Sequence, residues 1–449
     1  MSNKNKRVAT LCFGVAMLLV PAVSQAQTAA LQGGLDRLFS VAEERNATLQ
    51  TMRSAIDVAH AGVDAAQKAK LPDVSAQLSV SYLGDAWLWN RHFGESTKAP
   101  MPHFGNNFLF KAQQVVYSGG ALTAGVAMAQ QNEQMQRLSA DNERQRVQFL
   151  LTGLYLQFHS LLNQQKVYER NRTLAEEQIA LMKQRYSKGV ALHSDITRYE
   201  LQLQQISLGL TAVIDRQSIV RKQLATALGV ADGDTAALAS AVSVLPEEAF
   251  DDKAISVGAE AEWQQLASQE HIGLQQSALG IDMSRTQEKL ERSERLPKLA
   301  IIAENHLDGP ITIEVPPIDK NLNYWFVGVG VSYNFSALWK NKSKVHKARL
   351  AAVNAQDRLT EARKGVSDGV HAAFTDFGTA RTQLTTREKS LQLARENYDV
   401  VSRRYQNGLA IVTDLTDAAN MRLDAELQLA NARISLVYAY YNLCFVANK

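Results

Sequence analysis

Cysteine and proline are scarce in this chain, and long apolar runs are missing from most of it. The 449 residues include 2 cysteines, Cys12 and Cys444, and 9 prolines. Cys12 lies in a segment expected to be removed, so no intrachain disulfide can form in the mature chain. After residue 26, no apolar run reaches the roughly 20 residues that a transmembrane helix needs. These absences exclude a disulfide scaffold and a bundle of membrane-spanning helices.

The first 26 residues have the three parts of a secretory signal peptide. A basic start is followed by an apolar run over residues 8–20 and by a small-residue site over residues 24–26, which predicts cleavage after Ala26. A membrane anchor is the weaker alternative, because the apolar run is too short to span a bilayer. Cleavage removes three positive charges and lowers the formal net charge from +3 to 3 − 3 = 0. The absence of a basic bias argues against nucleic acid as a partner.

Helix-forming residues fill most of the remaining chain. Residues 121–188 contain no proline and two glycines, which predicts one very long helix ending at Gly189. A second helix is expected to begin with Ser194 or Asp195 as its N-cap and to run to about Leu228. The second half repeats this pattern.

The corresponding helices of the second half are predicted over residues 340–407 and from Thr413 or Asp414 to about Phe445. Shorter helices over residues 30–70 and 255–294 are predicted to open the two halves.

One phrase occurs twice and indicates an internal duplication. Residues 185–197 read RYSKGVALHSDIT and residues 404–416 read RYQNGLAIVTDLT, which is 404 − 185 = 219 positions later. That spacing is too long for a solenoid repeat of roughly 20–50 residues. Each phrase therefore marks the turn of a long antiparallel helical hairpin, one hairpin in each half.

Four segments alternate apolar and small or polar residues, the period of a β-strand. They lie at about 73–83, 107–117, 298–305 and 325–336. A soluble sheet with one face on a core is the alternative to a membrane barrel. No neighbouring amphipathic helix of suitable length is available to cover so large an apolar face, which favours the barrel. Four strands cannot close a barrel by themselves, whereas three copies of the chain would supply twelve.

The expected organisation is a signal peptide and two halves joined by a linker. The boundaries are 1–26 for the signal, 27–228 for the first repeat, 229–254 for an equatorial linker and 255–449 for the second repeat. The fold class is mainly α, with long antiparallel hairpins forming an α-barrel and four strands per chain contributing to a trimeric membrane β-barrel.

The duplicated turns, the LPxL strand starts and the junctions QQVVYSGGAL (113–122) and VSYNFSALW (331–339) resemble the outer membrane factor family, the TolC-like efflux proteins. The resemblance covers essentially the whole mature chain. It implies a homotrimeric, passive, gated channel in the outer membrane of a Gram-negative bacterium, with a large periplasmic portion. The implied partners are outer-membrane lipid, a periplasmic adaptor protein and an inner-membrane pump of the RND, ABC or MFS type, in efflux or type I secretion.

The resemblance also implies a pore constriction at the hairpin turns. Asp414 and Asp417 match the aspartates that form rings at the narrowest point of the family's channels. Their i, i+3 spacing puts both carboxylates on one helix face, so three chains would place six around one axis. A structural alternative is that both are first-turn acids stabilised by the helix dipole. For Asp414 this alternative is strengthened by Asp195, which repeats it in the first hairpin.

Other turn residues match positions that stabilise the family's closed gate or touch its adaptor. Asp195 and Tyr405 match residues that join neighbouring hairpins, although Ala410 stands where the family's best-known member has the basic partner. Asp195 can instead cap its own helix. Gly189 and Gly408 are turn residues that are also expected to allow close approach of an adaptor.

Two other classes of protein remain as alternatives. A periplasmic adaptor would carry one hairpin flanked by β-rich modules, and a structural coiled-coil protein would lack the alternating strands. No nucleotide-binding or hydrolase motif is present, so neither an enzyme nor a cofactor or metal site is expected. The cargo is not indicated by the sequence.

Overall fold

The fold is built from helices of unusual length and a small antiparallel sheet. It is described by a computed structural model over residues 22–231, 242, 255, 257–314 and 317–449. Most of the predicted signal peptide and most of the predicted linker over 229–254 therefore lie outside the described residues. The described helices are α1 (Ala22–Arg45), α2 (Ala47–Lys68), α3 (Ala121–Ser187), α4 (His193–Leu228), α5 (Glu260–Glu270), α6 (Ile272–Ser293), α7 (Ala337–Gln406) and α8 (Val412–Ala447).

Helices α3 and α7 run the whole length of the helical part. They contain 67 and 70 residues, so each is roughly 100 Å long at ~1.5 Å per residue. Each long helix packs mainly against two partners of its own half. The shorter partner lies nearer the sheet and is called upper, and the longer partner begins at the hairpin turn and is called lower. Helix α3 packs against α2 and α4, and α7 packs against α6 and α8. The duplication predicted from the sequence is therefore visible as two equivalent sets of three helices.

The upper and lower partners meet end to end at two equivalent joints. At the first joint the Asn46 side-chain amide donates to the carbonyl of Ala227, 2.7 Å away. At the second the Asn448 side-chain amide donates to the carbonyl of Glu270, at 2.8 Å. The side chains of Asn46 and His271 also cap the helices that begin there. These caps break the single helices expected over 30–70 and 255–294, each into two.

The described strands are β1 (Asp73–Tyr82), β2 (Ala86–Trp89), β3 (Ser96–Ala99), β4 (Phe104–Tyr117), β5 (Lys298–Gly309) and β6 (Leu322–Ser332). Four of them form an antiparallel sheet in the order β1–β4–β5–β6, so β1 and β6 are its two edges. The four strands predicted from the sequence are all present, with somewhat different bounds. Between β1 and β4 lies a separate two-stranded hairpin, β2 with β3.

The hydrophobic core lies among the helices. Its largest cluster joins α1, α3, α4 and α8 near the middle of the molecule, and includes Leu38, Leu151, Tyr155 and Leu228. A smaller cluster closes the far end, where the two turns meet. No helix within the described residues is long and apolar enough to cross a membrane.

Candidate functional site at the hairpin turns

Both hairpin turns begin with the same hydrogen-bonded helix end. The amide of Gly189 donates to the carbonyl of Tyr186 at 2.9 Å, and the amide of Val190 to that of Arg185 at 3.0 Å. This pair of bonds defines a Schellman motif, which requires a left-handed residue at its centre. Gly189 supplies it with φ of 75°.

The second turn is built in the same way. Gly408 has φ of 73°, its amide donates to Tyr405 at 3.1 Å, and the amide of Leu409 donates to Arg404 at 2.8 Å. A Cβ added at either glycine would meet no other atom within 4 Å. Both glycines are therefore required by backbone conformation within the protomer, and their outer sides are open.

Asp195 and Asp414 hold the starts of the helices that follow the turns. The amide of Leu192 donates to Asp195 Oδ2 at 3.1 Å, and the amide of Ile411 to Asp414 Oδ2 at 3.2 Å. Each carboxylate sits three residues after the N-cap, where it also meets the positive end of the helix dipole. The expectation that Ser194, Asp195, Thr413 or Asp414 would be the N-cap is wrong. The N-caps are Leu192 and Ile411, because the turns are shorter than expected.

Asp417 lies on the same face of α8 as Asp414 and differs from it in its contacts. Both side chains are exposed, but within the described residues no hydrogen bond or ion pair holds the Asp417 carboxylate. The same face continues with exposed Met421 and Asp424. The 3-4-3 spacing aligns these residues along α8, so the end of the second hairpin carries a solvated acidic stripe. At the position equivalent to Asp417, α4 carries the exposed Arg198.

Tyr405 packs beneath the turns against the first hairpin. Its hydroxyl donates to Sδ of Met182 at 3.1 Å, and the Arg185 guanidinium lies 5.3 Å from the centre of its ring. Burial raises the pKa of Tyr405. Within one protomer no described hydrogen bond joins Tyr405 to Asp195. The contact between the two hairpins at this end therefore depends on packing and on Arg185, a residue that sequence reasoning did not single out although Arg404 repeats it.

A second missed residue is Tyr199, which lies at the centre of the cluster closing this end. Its side chain is 2% exposed and packs with Met182, Ile196 and Leu415. Burial raises the pKa of its hydroxyl, which has no hydrogen-bond partner among the described residues. The apolar spacing of Ile196 and Tyr199 was the available signal for this buried position.

A third missed residue, Glu426, connects three helices above the turns. One carboxylate oxygen accepts from Asn171 Nδ2 at 3.2 Å and lies 3.5 Å from Arg170 Nη2, both on α3. The other oxygen lies 3.6 Å from Arg395 Nη2 on α7. The side chain of Glu426 is only 9% exposed. The contacts of Glu426 cannot be predicted from local sequence patterns, because its partners are separated from it by up to 256 positions.

The described residues contain no group of three or more histidine, cysteine or acidic side chains placed to hold a metal ion. The end of the second hairpin bears exposed carboxylates at Asp414 and Asp417. Such an arrangement can attract cations and repel anions.

Comparison with known proteins identifies the class of molecule to which this architecture belongs. The chain belongs to the outer membrane efflux protein family, which matches residues 38–230 and 263–448. Outer membrane protein TolC of Salmonella enteritidis is 24% identical over 182 residues, which are 39% of this chain and 37% of TolC. The sequence match thus spans little more than a third of this curated relative.

Solved outer-membrane proteins share the fold over almost the whole chain. The outer-membrane channel OprN superposes with a TM-score of 0.75 at 14% identity, covering 95% of this chain and 92% of OprN. The outer membrane protein VceC from Vibrio cholerae superposes with a TM-score of 0.72 at 13% identity, covering 92% and 95%. Family membership places the chain in the outer membrane of a Gram-negative bacterium, with its helical part in the periplasm.

Proposed function

We propose that this chain forms a homotrimeric outer-membrane channel that passively conducts cargo delivered by a periplasmic adaptor and an inner-membrane pump. The observation that carries the proposal is the four-stranded sheet with two open edges and one apolar face. Unpaired backbone groups are not tolerated in lipid, so such a sheet needs partners at both edges.

The geometry of the sheet suits closure by copies of the same chain. Neighbouring strands alternate in direction from β1 to β6, so β6 of one copy and β1 of the next run antiparallel. Three copies give 3 × 4 = 12 strands, an even number as in known bacterial barrels.

One face of the sheet is suited to lipid. It carries large apolar side chains that are mostly exposed in the single chain, including Leu78 at 70%, Trp325 at 73% and Val329 at 68%. On the opposite face of β1 the residues are aspartate, serine and glutamine. This is the apolar-out, polar-in alternation of membrane barrels.

The helices support the same assembly. Within one chain the lower helices pack in the order α4–α3–α8–α7, so α4 and α7 form the two edges. Exposed apolar residues lie along both edges, among them Leu201 and Leu208 on α4 and Leu393 and Val400 on α7. Pairing α4 of one copy with α7 of the next would bury them and close a tube that continues the barrel.

Closure of the tube would bring three copies of the acidic stripe on α8 around one axis. Asp414 and Asp417 would then contribute six carboxylates at the periplasmic entrance and favour cations there. Asp414 also holds the start of its own helix, so it has two proposed roles. Asp417 has no partner among the described residues, and its proposed role is the gate alone. Asp195 and Tyr405 are proposed to support the closed arrangement by holding the turn and the packing between hairpins.

The turns are proposed to contact the adaptor. Each presents exposed apolar residues, with Val190 at 72% and Leu409 at 68% exposure. Gly189 and Gly408 lie beside them with open space where a Cβ would be. An apolar tip with an accessible backbone suits docking of another protein's hairpin.

Single-channel conductance in a planar lipid bilayer tests the proposal. Asp417→Asn and the Asp414→Asn/Asp417→Asn double variant should increase conductance or lose cation preference. Asp215→Asn is the matched control, because it removes an exposed carboxylate from α4 at a distance from the turns.

Unchanged steps in the double variant would keep the channel and remove the gate from these residues. The absence of steps from folded protein would refute the channel and favour an adaptor or structural role.

A further inference from the structure

A compact group of charged and polar side chains lies on the polar face of the sheet, far from the turns. Glu304, His306 and Asp308 follow one another at alternate positions of β5. His306 Nε2 lies 3.0 Å from Glu304 Oε2, and His306 Nδ1 lies 3.8 Å from Asp308 Oδ2. Lys111 on β4 reaches Glu304 Oε1 at 3.2 Å, and the Asn107 amide donates to Asp308.

The neighbouring strand holds the imidazole in place. The rings of His306 and Tyr324 on β6 are stacked, with centroids 4.7 Å apart and an interplanar angle of 1°. On the polar face, Lys111, Glu304 and Asp308 are the charged groups around His306. The inward residues of the more distant β1 are Ser75, Gln77, Ser79 and Ser81, with Asp73 at its start, as the register shows. The group therefore has one cation, two carboxylates and one histidine per chain.

Exposure identifies this face as the concave one. On β6, Tyr324 and Phe326 share the face of the charged group and are 42% and 43% exposed, whereas Trp325 and Val327 on the opposite face are 73% and 65% exposed. Crowding of side chains on one face and spreading on the other is expected of a curved sheet. In the proposed trimeric barrel, on which this inference rests, the concave face lines the lumen.

The distance from the wall to the axis is short enough for these charges to act on ions in the lumen. Twelve strands about 4.8 Å apart and tilted by about 40° enclose a barrel of about 12 Å backbone radius. Side chains bring the charges to about 8 Å from the axis. The Debye length is about 8 Å at physiological ionic strength and about 30 Å at 0.01 M, so the charges are weakly screened in dilute salt.

We infer that Glu304, His306, Asp308 and Lys111 form a second charged ring, inside the β-barrel, that sets the ion preference of the outer part of the pore and makes it depend on pH. With His306 neutral, each chain contributes −1 − 1 + 1 = −1, and the trimer −3. With His306 protonated the sum is zero. Histidine is the side chain suited to such a change between pH 8 and 5.

The expected enrichment of cations follows from screened Coulomb energies. Three unit charges about 8 Å from the axis in water enrich cations there by about sevenfold in 0.01 M salt and by about 2.5-fold in 0.15 M salt. In 1 M salt the enrichment is close to none, since the Debye length falls to about 3 Å. A selectivity that fades with added salt is thus part of the prediction.

The test measures reversal potentials of the trimer under a dilute KCl gradient, at pH 8 and at pH 5. The Asp414→Asn/Asp417→Asn background removes the carboxylates proposed for the entrance. In this background, cation preference should fall severalfold at pH 5, and His306→Gln should abolish that fall. His92→Gln is the matched control in the β2–β3 turn and should keep it.

Glu304→Gln gives the sharpest outcome. The ring of this variant would carry no net charge at pH 8 and +3 at pH 5, so acidification should create a preference for anions where there was none. A pH response that survives His306→Gln, or a Glu304→Gln channel that prefers cations at pH 5, would overturn the inference while the channel itself stands. Absence of conductance in every variant would instead refute the proposed function.

Discussion

Replacing Gly408 or Gly189 by alanine tests how the two turns are held. Each glycine has φ near 75° at the centre of a Schellman motif, where an L side chain costs about 1–2 kcal/mol. Alanine also restricts the unfolded chain, which returns about 0.4–1 kcal/mol. Because a Cβ has free space at both positions, no steric penalty is added. The net loss of local stability should be about 1 kcal/mol at either turn.

Amide hydrogen exchange measures this loss where it occurs. The amides of Val190 and Leu409 are held by the turn bonds to Arg185 and Arg404. A loss of about 1 kcal/mol in the local opening free energy makes exchange of these amides about fivefold faster. Amides in the middle of α3 and α7 should be unaffected, because they lie many helical turns away.

Alanine substitutions at two further glycines, Gly378 and Gly229, serve as controls for the effect at the turns. At Gly378, inside α7, a Cβ meets nothing within 4 Å and φ is not left-handed, so alanine should stabilise the helix by about 0.5–1 kcal/mol and slow exchange. At Gly229 a Cβ would collide with the carbonyl of Arg45, so the loss should exceed that at the turns. Unchanged exchange at Val190 and Leu409 would refute the reasoning, as would equal acceleration by Gly378→Ala.

Three other changes have defined outcomes. Glu426→Gln should lower the free energy of unfolding by about 1–2 kcal/mol, because a mostly buried charge-assisted contact is lost. The denaturation midpoint measures this loss, and a larger loss from Arg170→Gln would contradict this account. Val329→Arg should cost about 2–4 kcal/mol where that face meets lipid and reduce the trimer recovered from outer membranes, whereas Gln77→Arg on the opposite face should be tolerated. Burial raises the pKa of the Cys444 thiol, so less thiolate is present at pH 8. Iodoacetamide should therefore react with Cys444 more slowly than with free cysteine, and the rate should rise with pH. Equal rates at pH 8 would contradict the burial.

Local composition and pattern were sufficient to predict the main elements. The long helices α3 and α7 follow from uninterrupted runs of helix-forming residues without proline, and the four main strands follow from their period of two. The helix stops at Gly189 and Gly408 were also readable, because only glycine adopts their backbone conformation without strain.

Local signals failed where a distant contact decided the outcome. The breaks at Asn46 and His271 were missed, since asparagine and histidine also occur inside helices. The contacts that accompany each break, from Asn46 to Ala227 and from Asn448 to Glu270, come from distant parts of the chain. The N-caps were misplaced for a related reason. Leu192 and Ile411 have no capping side chain, and the turn geometry brings Asp195 and Asp414 to their amides instead.

The sequence by itself determined the helical hairpins and the alternating strands, because each depends on residues close together in the chain. It also determined the duplication, because the two turn phrases are alike when they are compared directly. Only the tertiary structure decided which side chains meet: Arg185 with Tyr405, Glu426 with two helices, and His306 with its neighbours across β4 and β6. These contacts join residues that are far apart in sequence or on separate strands. Their geometry depends on packing and register, which no local pattern encodes.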